Sequence, residues 1–144
     1  MDHKINVREK KEIDNDQVEY ILNKNFGENR HQRTVYLYRK KSPIKGLSLV
    51  SCLNEDHKTV IGTITFYRTL VSNINCILLG PLAVSDVFQG KGFGKILVRK
   101  GLEIAKQKNE VICFVSGKYD YYKESDFFKL SSKNLIIHTP GDLT

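Results

Sequence analysis

Long apolar runs are missing from this sequence of 144 residues. No stretch approaches the roughly 18–20 consecutive apolar residues of a membrane span. No apolar segment follows Met1-Asp2-His3-Lys4, so no secretory leader is expected. Cysteine is scarce. Cys52, Cys76 and Cys113 sit in apolar runs, odd in number and without C-x-x-C spacing. That usage points to reduced core thiols and a cytoplasmic location. The four histidines, His3, His31, His57 and His138, are scattered. No pair has ligand spacing, so no metal is expected. There is no internal repeat and no linker-like stretch. Residues 1–144 are therefore read as one domain, long enough to bury a real core.

What is present is ordinary in bulk: 40% hydrophobic and 27% charged residues, as in globular proteins. The net charge of +7 is compatible with a nucleic acid, an anionic small molecule or mere solubility. Lysines are spread along the chain, which favours solvated faces over one binding patch. No RNP-like aromatic motif or helix-turn-helix signature appears, so nucleic acid is an unlikely partner.

The order of elements can be read from periodicity. Ile5 to Glu9 alternates as a first strand. Asp14-Asn15-Asp16-Gln17 offers a capping box, and Val18, Ile21, Leu22 and Phe26 follow at helical spacing until Gly27 stops the helix. Residues 28–41 lean to a second helix, although Val35-Tyr36-Leu37-Tyr38 reads equally as a strand; Arg30, Arg33, Arg39, Lys40 and Lys41 suit a solvated face more than an RNA surface. Leu47 to Leu53 and Thr59 to Tyr67 form a hairpin. Asn73 and Asn75 turn the chain into a third strand, Cys76 to Val84. These three make an antiparallel meander. A helix follows, with Phe93, Ile96, Leu97, Gly101 and Ile104 as its apolar stripe, widened by Val98, Leu102 and Ala105, and Asn109 at its end. Val111 to Val115, wholly apolar, closes a βαβ unit and should run parallel to Cys76–Val84.

The informative stretch runs from Leu79 to Lys95. Gly80-Pro81 interrupts its strand. Pro81 has no N–H for a ladder, so the strand must bulge or splay there. Gly90, Gly92 and Gly94 then lead directly into the helix. Strand, glycine loop and helix N-terminus together make an anion site, because loop amides and first-turn amides converge with the positive end of the helix dipole. A pyrophosphate suits it. A Walker A loop is excluded, since Ile96 stands where its hydroxyl residue belongs. A dinucleotide fingerprint is disfavoured, since the spacing is G-x-G-x-G and no acid ends the next strand.

Gln89-x-x-Gly92-x-Gly94 resembles the acetyl-CoA loop of the GCN5-related N-acetyltransferases. The string from Leu79 to Gly94 is similar to the "LGPLAV…QGxGxG" block of one bacterial branch. The resemblance spans roughly residues 5 to 127. It implies an α/β (α+β) fold of the GNAT acyl-CoA N-acyltransferase type. Such a fold has a mixed central sheet, an antiparallel N-terminal meander, a splayed parallel strand pair, and helices on both faces. It implies acetyl-CoA as co-substrate and an amine acceptor, either a small molecule or a protein. On these residues it places the pantetheine arm along Leu82, Ala83 and Val84. The pyrophosphate falls on amides of Gln89, Gly90, Lys91, Gly92, Phe93, Gly94 and Lys95, the two lysines adding charge. The family's acid for the leaving thiolate is a Tyr in Tyr-x-x-x-Gly-Phe. Tyr122-Lys123-Glu124-Ser125-Asp126-Phe127 matches it except at Asp126, so Tyr122 is the candidate and Tyr121 the second. The amide of Leu82 is the candidate oxyanion donor.

The general base is open. Glu28, Glu55 and Asp56 are the carboxylates near the acceptor side, and a water relay is equally compatible. After Asp126 there is room for one strand, where relatives have two. The acceptor half therefore reads as shortened, open to a protein's amine, closed by a second subunit as a homodimer, or inactive. The alternative to an acetyltransferase is a catalytically silent acetyl-CoA-binding module.

Overall fold

A computed structural model describes residues 4–27, 43–71, 73–110, 112–116, 127–129 and 135–138. Seven strands form one sheet in the order β1-β2-β3-β4-β5-β7-β6. They are β1 (Ile5–Glu9), β2 (Pro43–Leu53), β3 (Asp56–Val71), β4 (Ile74–Val84), β5 (Cys113–Ser116), β6 (Phe127–Lys129) and β7 (Leu135–His138). The first four are antiparallel neighbours. β5 lies parallel to β4, as the βαβ spacing requires. Two strands, not one, follow Asp126: β7 inserts antiparallel between β5 and β6.

Among the described residues, one helix covers each face. α1 (Asn15–Phe26) buries Val18, Ile21 and Leu22 against Val50, Cys52, Val60 and Ala83. α2 (Phe93–Gln107) sets Leu97, Val98 and Ala105 on the opposite face, against Leu47, Leu49, Ile64, Phe66, Ile77 and Leu79. Alternation along β2 explains the division, since Leu47 and Leu49 face α2 while Val50 and Cys52 face α1. The expected apolar stripe of α2 is the buried one at Phe93, Leu97, Val98, Gly101 and Ala105. It differs at Ile96, which is 37% exposed, and at Gly94, which is buried. Glycine lets this face approach the sheet, and a Cβ at Gly101 would lie 2.4 Å from the Phe66 ring. The helix ends where Asn109 takes φ 64°, and Glu110 N–H reaches back to Ala105 O at 3.0 Å, a left-handed cap.

The capping box at Asp14 does not form. Asp14 stays helical at φ −82° with no capping bond to the next turn. Its buried carboxylate instead receives both arms of the Arg8 guanidinium at 2.8 and 2.9 Å, and Lys11 N–H at 2.7 Å. A charged, bidentate donor outcompetes a backbone amide. The guanidinium, first among these partners, holds the Asp14 carboxyl below its ordinary value. Gln17 is drawn across to β3, donating to Lys58 O and accepting from Val60 N–H, both at 2.9 Å. The second helix expected over 28–41 lies outside the described residues.

Candidate active site

The site begins where β4 loses one neighbour. β4 and β5 stay in register through Ile77–Cys113, Leu78–Phe114 and Leu79–Val115. From Gly80 to Val84, β4 continues on β3 alone among the described residues. The parting coincides with an irregularity on the other edge. Leu79 pairs with Phe66 and Leu82 with Ile64, so Gly80 and Pro81 together face Thr65. This is the bulge the sequence demanded of Gly80-Pro81. Its peptide bond is cis, with Gly80 at φ 138°.

Alternation then sorts the backbone of the free segment. Ser85 N–H donates to Ile61 O at 2.8 Å, so every second residue of β4 turns its polar groups to β3. Ala83 therefore spends its N–H and C=O on β3, and its methyl is buried in the α1 core. Leu82 and Val84 turn theirs to the open side. Of the three strand residues singled out in the sequence, two present backbone to the cleft and one is a structural neighbour.

Past Val84 the chain makes a short 3-10 turn, Asp86–Phe88, closed by Phe88 N–H to Ser85 O at 2.9 Å. Gly90 and Gly92 follow at φ 78° and 82°, the left-handed region that L side chains avoid. Nothing lies within 4 Å of where their Cβ atoms would be. Glycine is thus required there by backbone conformation, and the loop surface is open to an approaching group. Gly92 caps α2. The intrahelical ladder starts with Ile96 N–H to Gly92 O at 3.3 Å. The amides of Phe93 and Gly94 precede that first bond, at the positive end of the dipole. Phe93 is buried and stacks near Phe88, ring centroids 6.0 Å apart, which pins the first turn to the loop. Lys91 is exposed and Lys95 half-buried.

Gln89 behaves differently from its neighbours. Its side chain folds back, and Nε2 donates to Val84 O at 2.9 Å and to Asn25 Oδ1 at 3.1 Å. Asn25 Nδ2 donates to the same Val84 O at 3.1 Å and to Ile21 O at 2.8 Å. The Val84 carbonyl thus accepts from two side chains. Among the described residues, Leu82 N–H, Leu82 C=O and Val84 N–H are what the strand offers on the edge away from β3. Sequence reasoning missed Asn25, which reads simply as one polar position on an amphipathic helix.

The chemistry-bearing candidates are less well placed. Tyr122, Tyr121 and Glu28 lie outside the described residues. Glu55 is exposed in the β2–β3 turn. Asp56 organises that turn. It accepts from the Thr59 hydroxyl at 2.7 Å and from the Lys58 and Thr59 amides. The hydroxyl, then the amides, keep its carboxyl below the ordinary value. A base needs the opposite shift and a free lone pair, so Asp56 is a turn residue. Among the described residues, no group of three His, Cys, Asp or Glu could hold a metal ion. The three cysteines are free and buried, and burial pushes the Cys113 thiol upward.

A seven-stranded sheet parting at β4 and β5, with a glycine loop capping a helix at the parting, is an acyl-CoA acyltransferase architecture. The acetyltransferase (GNAT) family model matches residues 15–125. The chain belongs to this family of acetyltransferases. It is similar to a GNAT family acetyltransferase from Brucella melitensis, solved in complex with acetyl-CoA, at TM-score 0.77 and 24% identity. That match covers 98% of this chain and 91% of the other. It is also similar to the GNAT family N-acetyltransferase YhbS from Escherichia coli in complex with CoA (TM-score 0.81, 20% identity, 99% and 84% covered). A chain of the NatC complex bound to Gag peptide and CoA matches at TM-score 0.74 and 15% identity, with 96% and 99% covered. In sequence, a stretch of the DNA-directed RNA polymerase subunit beta'' of Phaeodactylum tricornutum is 33% identical over 119 residues. The match covers 78% of this chain but 8% of that long subunit.

Proposed function

We propose that this chain is an N-acetyltransferase that moves the acetyl group of acetyl-CoA to a primary amine by direct attack. One observation carries the reading. The edge of β4 that no described residue pairs beyond Leu79 runs straight into a left-handed glycine loop and a helix N-terminus. A ligand with amides at one end and a diphosphate at the other matches that surface in order. Leu82 and Val84 would pair with the amides as a missing strand does. The amides from Gly90 to Lys95 would hold the diphosphate, with Lys91 and Lys95 lending charge. Gln89 serves through its side chain, as a tie within the loop.

Leu82 N–H would hold the oxygen of the tetrahedral intermediate, where charge develops. The acceptor amine must be neutral to attack, yet an alkyl amine has a pKa near ~10.4. A base or a water relay therefore takes its proton. As the C–N bond forms and the C–S bond breaks, the sulfur leaves as a thiolate, with a thiol pKa of about 8.5. Tyr122 would supply a proton to it. The acceptor is a small molecule or a protein amine. The peptide-bound NatC match supports the latter class.

Calorimetry with acetyl-CoA tests the loop. Wild type should bind. Gly92→Glu should not, because its carboxylate would occupy phosphate space. Gly92→Asn is the control for backbone strain, since Asn tolerates φ > 0, and it should retain most of the affinity. Equal binding by wild type and Gly92→Glu would overturn the assignment. A second reading is a catalytically silent acetyl-CoA-binding module. Tight acetyl-CoA binding without CoA thiol release from any amine or peptide offered would select it.

A further inference from the structure

We infer that Asn25 is a positioning residue for the cofactor loop, acting from α1 through Gln89 and the Val84 carbonyl. The inference rests on the acetyl-CoA reading above and concerns how its site is held in shape.

The contact joins three elements. Asn25 is on the last turn of α1, Val84 is the last residue of β4, and Gln89 opens the glycine loop. Asn25 and Gln89 are 64 positions apart in the chain, so no local propensity brings them together. Asn25 has little freedom of orientation. Its amide nitrogen sits between two carbonyl oxygens, Ile21 O at 2.8 Å and Val84 O at 3.1 Å, where an amide oxygen would be repelled. Its oxygen is thereby aimed at the Gln89 Nε2. Gln89 in turn must present its nitrogen, since it too faces Val84 O. One carboxamide fixes the rotamer of the other.

The consequence is mechanical. Gly90 and Gly92 give the loop little conformational preference of its own. Its start would wander were Gln89 not tied back. The tie preorganises the amides that follow, so a ligand need not order them on binding. It also caps the Val84 carbonyl, which leaves Leu82 C=O as the open acceptor on this edge. Because α1 bears the anchor, anything that displaces α1 loosens the loop, and a ligand on the loop steadies α1 by the same amount.

The test is acetyl-CoA affinity and kinetics for Asn25→Ala, Asn25→Asp and Gln89→Ala beside wild type. Loss of a tie worth one to two hydrogen bonds should raise the acetyl-CoA Kd about tenfold in Asn25→Ala. Asn25→Asp should lose at least as much, because a carboxylate would face two carbonyl oxygens. The acetyl-CoA KM should rise with kcat held, a split that general loosening of the fold does not produce. Adding Gln89→Ala to Asn25→Ala should cost little more, since both remove one network. Gln89 is exposed, so Gln89→Ala folds even if the α1 variants do not, and alone it should show the same KM rise. Asn25→Ala or Gln89→Ala binding within twofold of wild type would overturn the inference and leave the proposed function standing. Wild type that fails to bind acetyl-CoA would overturn both.

Discussion

Replacing Gly101 with alanine sets two physical terms against each other with opposite signs. On an exposed helix the change stabilises by about 1 kcal/mol, because alanine is the better helix former. Here the new Cβ would stand 2.4 Å from Phe66 Cε1 and 2.6 Å from Cζ, closer than carbon atoms approach. Phe66 is fully buried and hemmed by the α2-side core, so its ring has nowhere to swing. Either α2 lifts off the sheet or the ring leaves its rotamer. Overpacking of this kind costs about 1–3 kcal/mol, and a clash with a rigid ring belongs in the upper half of that span. The net expectation is a loss of about 1–2 kcal/mol.

Thermal unfolding reads this directly. At about 2.1 cal/mol/K per residue, a chain of 144 residues shifts about 3 °C per kcal/mol. Gly101→Ala should therefore lower Tm by about 3–7 °C. In a Phe66→Leu background the ring carbons are gone, and the same substitution should turn neutral or raise Tm by up to about 3 °C. A Tm increase for Gly101→Ala in the wild-type background would refute the reasoning, because helix propensity would then have won.

Further expectations follow from single contacts. Asp14 has its pKa depressed by Arg8, so its stabilisation is fully present above the unfolded carboxyl's pKa of about 3.9 and is lost as pH falls through the lower folded value. Asp14→Asn should flatten the acid limb of a stability–pH curve below about pH 4. It should also cost about 2 kcal/mol at neutral pH, by urea melts. Arg68 makes a two-pronged ion pair with Glu110 that ties β3 to the chain entering β5. Arg68 is 39% exposed, so Glu110→Gln should cost only about 0.5–1 kcal/mol, less in high salt. Tyr122→Phe should slow acetyl transfer while acetyl-CoA binds as before, and an unchanged rate would remove Tyr122 from the mechanism.

How much of this was legible in the sequence depended on how local the signal was. β1 falls on Ile5–Glu9 as alternation alone placed it. Gly27, Asn73 and Asn109 mark real ends because each takes a positive φ, a property of one residue and its neighbours. The strand ends were read short. β3 runs from Asp56 to Val71, and its last residues, Arg68 to Val71, are held by pairing with Ile74 to Ile77 rather than by their own pattern. One residue of the helix stripe departs from its pattern. Hydrophobicity puts Ile96 inward, but it lies at the edge of the buried face, 37% exposed, beside the close approach of Gly101 to Phe66.

The site divided along the same line. Gly80-Pro81 announces a bulge, and Gly90 and Gly92 announce a left-handed loop, because those residues constrain their own backbone. Which amides then face the cleft is not a property of any residue. It follows from register. Ser85 bonding to Ile61 makes Leu82 and Val84 available and takes Ala83 away, though the three are consecutive and equally apolar. Asp14 and Asn25 carry the point further, since each keeps a local bond and adds a partner that its own pattern does not announce. Asp14 adds Arg8, and Asn25 adds a carbonyl 59 positions on. Polar side chains that reach across the fold are thus where sequence reading fails in this chain. In Asn25 the same failure marks the residue that we propose holds the glycine loop in shape.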